Sequence, residues 1–300
     1  MKLLLFGANG QVGWKLQQSL APLGDLKICN RDNANFNDLC ELQSIIKKFA
    51  PDIIINAAAY TNVDKAESEK EQAFQINANA IELLSNEAKR INAWLIHYST
   101  DYVFDGSQLS PYKEEDKPNP QTIYGKSKLE GEKLIAKSGC KHIIFRTSWL
   151  YSIRGKNFLN TIIRLAKNQN ELRIVSDQVG APTSAELVAN ISALCIYRIC
   201  QKKLESREFS GIYHLTASGS TSWCAFAKYF LSEAENLGEV FLVKSSEIIE
   251  ISSSELILPA NRPLNSLLSS GKLCKTFNLN LPSWEGLVDR VINEIYLRKT

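Results

Sequence analysis

Phe6-Gly7-Ala8-Asn9-Gly10-Gln11-Val12-Gly13 is the stretch that decides the fold. It follows Leu3-Leu4-Leu5-Phe6, an apolar run of strand length, and leads into residues 12–20, whose apolar side chains recur at helical spacing. Glycines between a buried strand and a helix each meet a different demand. Gly7 can take backbone angles closed to other residues, Gly10 lets a ligand approach the main chain, and Gly13 lets the helix pack close to the strand. The free N–H groups of the helix start then face a diphosphate. Gly7, Asn9, Gly10, Gln11, Val12 and Gly13 are thus the first candidates for holding a dinucleotide.

The alternation continues. Residues 26–29 read as a second strand, Asp38 as the cap of a helix over 39–49, and residues 52–55 as a third buried strand. Residues 67–92 read as one long helix and 93–98 as a fourth strand, so the first half predicts an α/β, doubly wound parallel sheet of Rossmann-like type. Arg31 falls at the end of the second strand, where a dinucleotide fold meets the adenosine ribose. Its guanidinium can pair with a 2′-phosphate and Asn30 cannot repel one, which favours NADPH over NADH. The small residues after strand three, Asn56-Ala57-Ala58-Ala59-Tyr60-Thr61, let a cofactor lie against backbone. His97 sits among apolar neighbours inside strand four and reads as a packed core residue.

Composition excludes several classes. The 300 residues are 44% hydrophobic and 22% charged, ordinary for a globular chain, and a net charge of +3 without a long basic run argues against nucleic acid. No apolar stretch reaches membrane-spanning length, so no membrane association is expected. Seven cysteines without CxxC spacing, in a chain that opens on a core strand, fit a cytoplasmic protein.

The chemistry lies in Ser99-Thr100-Asp101 and Tyr124-x-x-x-Lys128. The first follows strand four, at the carboxyl edge where open α/β sheets bind ligands. The second puts a phenol and an amine on one helix face, a turn apart. Reduction of a ketone by hydride leaves an alkoxide that needs a proton, and Tyr124 can donate it. Lys128 is expected to draw the phenol pKa down and to hold the nicotinamide ribose, while Thr100 donates to the substrate oxygen. Thr100, Tyr124 and Lys128 are the catalytic candidates, the last two also touching the cofactor.

Seven blocks occur in order: the glycine turn of G-x-x-G-x-x-G spacing, Asn56-Ala57-Ala58-Ala59, the run from His97 to Phe104, Tyr124-x-x-x-Lys128, Phe145-Arg146-Thr147-Ser148-Trp149, Asp177-Gln178-x-Gly180-Ala181-Pro182-Thr183 and Arg262-Pro263-x-Asn265-Ser266. Together they resemble the dTDP-4-dehydrorhamnose reductase family of extended short-chain dehydrogenases, over nearly the whole chain. The resemblance implies reduction of the 4-keto group of dTDP-4-dehydro-6-deoxy-L-mannose to give dTDP-L-rhamnose, with NADPH, or NADH as an alternate donor. It implies that Ala58, Ala59 and Thr61 form the cofactor loop, that Asn35-Phe36 form the adenine pocket, and that Val63, Asp101, Tyr102 and Trp149 handle the sugar. Arg262, held by Pro263, is expected to grip the diphosphate. A magnesium ion that some relatives carry at a dimer interface on three glutamates aligns here with Glu186, Glu294 and Lys15; an ammonium repels a metal, so no Mg²⁺ is expected and a salt bridge takes its place, leaving a homodimer open. A noncatalytic NADP-binding regulatory subunit, or a reductase or epimerase of another nucleotide sugar, shares the earlier blocks. The intact Thr100, Tyr124 and Lys128 favour catalysis.

Beyond residue 150 the alternation loosens. Residues 1–150 are expected to form the dinucleotide domain and 151–300 a smaller, interleaved nucleotide-sugar domain. Helices are expected at 157–167, 185–201, 223–231 and 284–297, strands at 172–175 and 211–215, the latter returning to the large sheet, and a polar linker at 252–254. The Lys299-Thr300 end is expected to fray.

Overall fold

The computed structural model describes residues 1–201, 207–256 and 258–296. The opening run forms β1 (Lys2–Phe6), in which Leu3 to Phe6 are all buried, as a strand covered on both faces requires. Gly7 then turns with φ +79°, and α1 (Gln11–Leu20) follows; a Cβ on Gly13 would lie 2.1 Å from the Gly7 carbonyl oxygen, so only glycine lets this helix seat on the turn. The pattern repeats through β2 (Asp25–Cys29), α2 (Leu39–Phe49), whose Asp38 cap accepts from Glu41 N, and β3 (Ile53–Asn56).

After a separate short helix α3 (Val63–Ala66), the helix expected over 67–92 runs without interruption from Lys70 to Arg90, as α4 (Lys70–Phe74), a π turn (Gln75–Asn79) and α5 (Ala80–Arg90). Tertiary hydrogen bonds explain the π turn and the later start. Asn77 in the π turn accepts from Tyr60 N at 2.9 Å and donates to Tyr60 O and to Ser127 Oγ, and Glu67 accepts from Ile123 N at 2.8 Å. Next come β4 (Trp94–Thr100), α6 (Ile123–Ser138) with Thr122 as its cap, and β5 (Lys141–Thr147).

The later chain adds β6 (Leu150–Tyr151), α7 (Phe158–Asn168), β7 (Arg173–Val175), β8 (Val179–Gly180), β9 (Thr183–Ser184), α8 (Ala185–Gln201), β10 (Gly211–His214) and β11 (Thr221–Ser222). Then follow α9 (Trp223–Asn236), β12 (Ile249–Ile251), α10 (Gly271–Phe277) and α11 (Trp284–Tyr296). Helix α9 outruns its expected end at 231 because Ala234 continues its buried face. The polar run 252–254 is anchored: Ser253 N and Oγ both donate to the Asp177 carboxylate. Residues 297, 299 and 300, expected as a helix end and a frayed tail, lie outside the described residues.

The main sheet is all parallel, in the order β10-β5-β4-β3-β1-β2. β10 comes from the second half of the chain, as expected, and pairs with β5. The chain moves outward from β1 to β2 and then crosses back to β3 on the other side, which opens a crevice above the carboxyl ends of β1 and β3. All seven cysteines are free, and among the described residues no helix is long and apolar enough to cross a membrane.

Beneath β4 and β5, Arg146 donates from Nε and Nη2 to Glu132, at 3.0 and 2.6 Å, with both side chains 2% exposed. Removing one partner strands the other charge in the interior. Glu132→Gln should lower the free energy of unfolding by about 3 kcal/mol, read as a lower urea midpoint at an unchanged slope.

Candidate active site

The crevice between β1 and β3 holds a cavity of about 690 Å³. Of the expected dinucleotide residues, Gly7, Asn9, Gly10, Arg31, Asn35, Phe36, Ala58 and Ala59 line it. Gln11, Val12, Gly13, Thr61, Tyr124 and Lys128 do not. Gln11 spends its side-chain oxygen on Ser152 Oγ and Asn157 Nδ2, both at 2.9 Å, so it ties the turn to the 152–157 loop; Val12 is buried, and Gly13 underlies the helix contact. The wall also includes Tyr60, from the loop after β3, and Lys65, Glu69 and Gln72, contributed by α3, the start of α4 and α4. Lys65 pairs with Glu69 at 2.6 Å, whereas no carboxylate lies within ion-pair distance of Arg31 among the described residues. That leaves the guanidinium open to an anion.

Thr100 ends β4. Its Oγ1 donates to Asp101 Oδ1 at 3.0 Å and accepts from Tyr102 N at 3.2 Å, capping the 3-10 turn Asp101–Val103. Tyr124 stands in the first turn of α6, its ring edge-on to Tyr102 at 5.6 Å, with the Thr100 hydroxyl beside its own. Lys128, one turn on and 2% exposed, donates to the Tyr98 carbonyl at 2.6 Å and lies 3.2 Å from His97 Nε2.

Here the structure corrects two expectations. His97 is buried as a core residue would be, yet it touches the candidate catalytic lysine. The Tyr124 phenol is not drawn down: burial raises its pKa, the Thr100 hydroxyl opposing and the Asp101 and Tyr102 charges adding to the rise. Lys128 does not counter this, because its head is committed to Tyr98 and His97. Burial also lowers Lys128 itself to about 8, with Glu132 opposing, and lifts Asp101 to about 6, opposed by the Ser266 and Thr100 hydroxyls.

A second cavity, of about 340 Å³, opens beside this trio. Tyr102, Trp149 and Arg262 line it; Val63, Thr100 and Asp101 do not. Trp149 adopts φ +49° and stacks on Trp223 at 3.5 Å and 8°, forming a flat aromatic wall with Phe158. Trp223 and Phe158 went unread because their sequence context marks only helix starts. Arg262 Nη2 donates to Asp64 Oδ2 at 2.6 Å, while Nη1 has no protein partner. Ser99 Oγ, Asp101 Oδ2, Thr147 Oγ1 and Ser148 Oγ are likewise buried without partners at the carboxyl ends of β4 and β5. Buried polar atoms left open in this way suit a polar ligand.

The expected metal set does not fit. Lys15 pairs with Glu186 at 3.2 Å and Arg290 takes the other carboxylate oxygen at 2.8 Å, so two cations occupy the donor a metal would need. The expected salt bridge stands there instead.

Comparison with known proteins matches residues 1–297 to the family model described as the RmlD substrate binding domain. The dTDP-4-dehydrorhamnose reductase of Salmonella typhimurium is 42% identical over 304 residues, covering 100% of each chain. Among solved structures, the Bacillus anthracis dTDP-4-dehydrorhamnose reductase in complex with NADP superposes with a TM-score of 0.86 at 34% identity, covering 98% of this chain and 99% of that one. The Clostridium acetobutylicum ortholog gives 0.88 at 33%, over the same shares.

Gly180 lies against the Trp149 face opposite Trp223, where a Cβ would stand 2.3 Å from the ring. Gly180→Ala should therefore drive Trp149 out of its place and disrupt the stack. Near-ultraviolet circular dichroism should lose the coupled-indole signal while the far-ultraviolet spectrum is unchanged.

Proposed function

Because the chain belongs to the dTDP-4-dehydrorhamnose reductase family, we propose that it reduces the 4-keto group of dTDP-4-dehydro-6-deoxy-L-mannose to give dTDP-L-rhamnose, with NADPH as donor. The observation that carries the reading is the convergence of Thr100, Tyr124 and Lys128 beside the β1/β3 crevice, with an aromatic cavity adjoining them. An intact trio of this kind is needed for chemistry and not for binding alone, which speaks against a regulatory subunit.

Gly7, Asn9, Gly10, Arg31, Asn35, Phe36, Ala58 and Ala59 hold the dinucleotide, the helix α1 start facing its diphosphate. NADPH, when bound, supplies the hydride. The sugar nucleotide lies in the second cavity, where the aromatic cluster of Trp149, Trp223 and Phe158 offers apolar surface to C–H groups and Arg262, turning from Asp64, meets the diphosphate.

Tyr124 gives its proton to the oxygen that becomes an alkoxide. A phenol held protonated by burial is a competent acid through the neutral range. Thr100 orients that oxygen. Its hydroxyl hydrogen now points to Asp101, so substrate must draw it away, or Asp101 must be protonated and donate in its turn. Lys128 lies one helical turn from Tyr124 and offers its Nζ–H to the nicotinamide ribose. The chain from residue 151 onward supplies most of the sugar-nucleotide site, and free thiols with a soluble substrate support a cytoplasmic location.

Tyr124→Phe keeps the ring and deletes the acid. Turnover should fall by about a hundredfold or more, with NADPH affinity preserved; turnover like wild type would take Tyr124 out of the mechanism. Arg31→Asp places a carboxylate where a 2′-phosphate would sit, and kcat/KM should shift toward NADH by about tenfold or more. An unchanged NADPH/NADH ratio would show that Arg31 serves another end.

A further inference from the structure

Asn56, at the carboxyl end of β3, is 1% exposed, and its register partner His97 in β4 is fully buried. Asn56 Oδ1 accepts from Ala58 N at 3.1 Å, so the amide atom facing His97 Nδ1, also at 3.1 Å, is Nδ2. An amide nitrogen only donates, hence Nδ1 accepts. Burial, with Lys128 beside it, holds the His97 pKa well below its usual value, so the ring is neutral and its one hydrogen sits on Nε2. That hydrogen faces Lys128 Nζ, 3.2 Å away. An ammonium has no lone pair to receive it, whereas an amine has one, and the amine donates onward to the Tyr98 carbonyl.

This set of bonds is therefore the set of the uncharged lysine. Charging Lys128 reverses every donor along the line. Nζ then donates to Nε2, Nδ1–H donates to Asn56, and the Asn56 amide turns to present its oxygen. Ala58 N–H thereby loses its acceptor, and Ala58 lines the dinucleotide cleft.

We propose that Asn56 and His97 are positioning residues that couple the charge of Lys128 to occupation of the cofactor cleft. Lys128 is an amine while Ala58 N–H bonds Asn56, and an ammonium when that N–H turns to a bound dinucleotide. The inference rests on reading the crevice as the dinucleotide site and extends it to proton balance: the enzyme takes up a proton from solvent as the cofactor binds. The groups facing Lys128 are few. Glu132 stands one turn along α6 with its charge matched by Arg146 of β5, Tyr124 one turn before, and His97 and the Tyr98 carbonyl on β4. The Tyr98 hydroxyl points away to Ser192. With Lys128 lowered to about 8 by burial, the exchange falls in a range open to titration.

The test is the dissociation constant of NADP⁺ for the full chain, followed by fluorescence from well below to well above that value. Wild-type affinity should be flat at the acid end and then weaken by about tenfold per pH unit, as uptake of one proton demands. Lys128→Met should abolish the bend. Asn56→Ser, which removes the fixed direction of the amide, and His97→Gln, which can offer an oxygen to the ammonium, should each move the bend upward by about one pH unit. A bend that stays in place in both variants would leave burial as its sole cause and overturn the relay. A wild-type affinity that is flat throughout would deny the coupling while keeping the cofactor site, and absence of binding at every pH would overturn both.

Discussion

A Cβ on Gly7 would stand 2.4 Å from the Ala58 nitrogen, and one on Gly13 would stand 2.1 Å from the Gly7 carbonyl oxygen. Backbone meets backbone at both places, so the ends of β1 and β3 and the start of α1 converge with no side chain between them. The crevice for the dinucleotide is what that convergence leaves above the sheet. Lengthen either contact by one methyl group and α1 no longer seats its N–H groups over the crevice, nor does the 57–59 loop form its wall.

The chemical groups depend on the same frame one strand further on. β4 carries His97, the Tyr98 carbonyl and Thr100 in successive register, and α6 brings Tyr124 and Lys128 down onto them. Burial then acts on each group in the direction its charge dictates: it keeps the phenol protonated, lowers the lysine and raises Asp101. Such shifts cost stability unless the groups are hydrogen-bonded; the Tyr98 carbonyl and His97 supply those bonds to Lys128, and the Thr100 hydroxyl supplies one to Asp101. The Glu132–Arg146 pair beneath them contributes a matched charge to the same interior.

The parallel sheet was legible because apolar runs of strand length alternate with helical periodicity, and because the glycine turn falls between the first pair. Bounds for α2 and α8 could be read from a cap and from apolar spacing. The π turn at 75–79 and the start at Lys70 could not, since Asn77 and Glu67 answer to Tyr60, Ser127 and Ile123, partners remote in sequence. Tyr124 and Lys128 announced themselves by spacing. His97 did not, because a histidine among apolar neighbours has the same local pattern whether it fills space or holds a lysine. Trp223 and Phe158 were silent for a similar reason: the stack of Trp149 on Trp223, and the contact of Trp223 with Phe158, join segments whose sequences share no motif. Gln11 shows the converse, a residue inside the most telling motif whose side chain serves a neighbouring loop.

The most direct measurement is NADPH oxidation by the wild-type chain with dTDP-4-dehydro-6-deoxy-L-mannose, set beside a GDP-linked keto-sugar, with the sugar product identified. The account predicts oxidation with the dTDP sugar alone and formation of dTDP-L-rhamnose in equal amount. Equal rates with both sugars, or NADPH binding without oxidation of either, would contradict it.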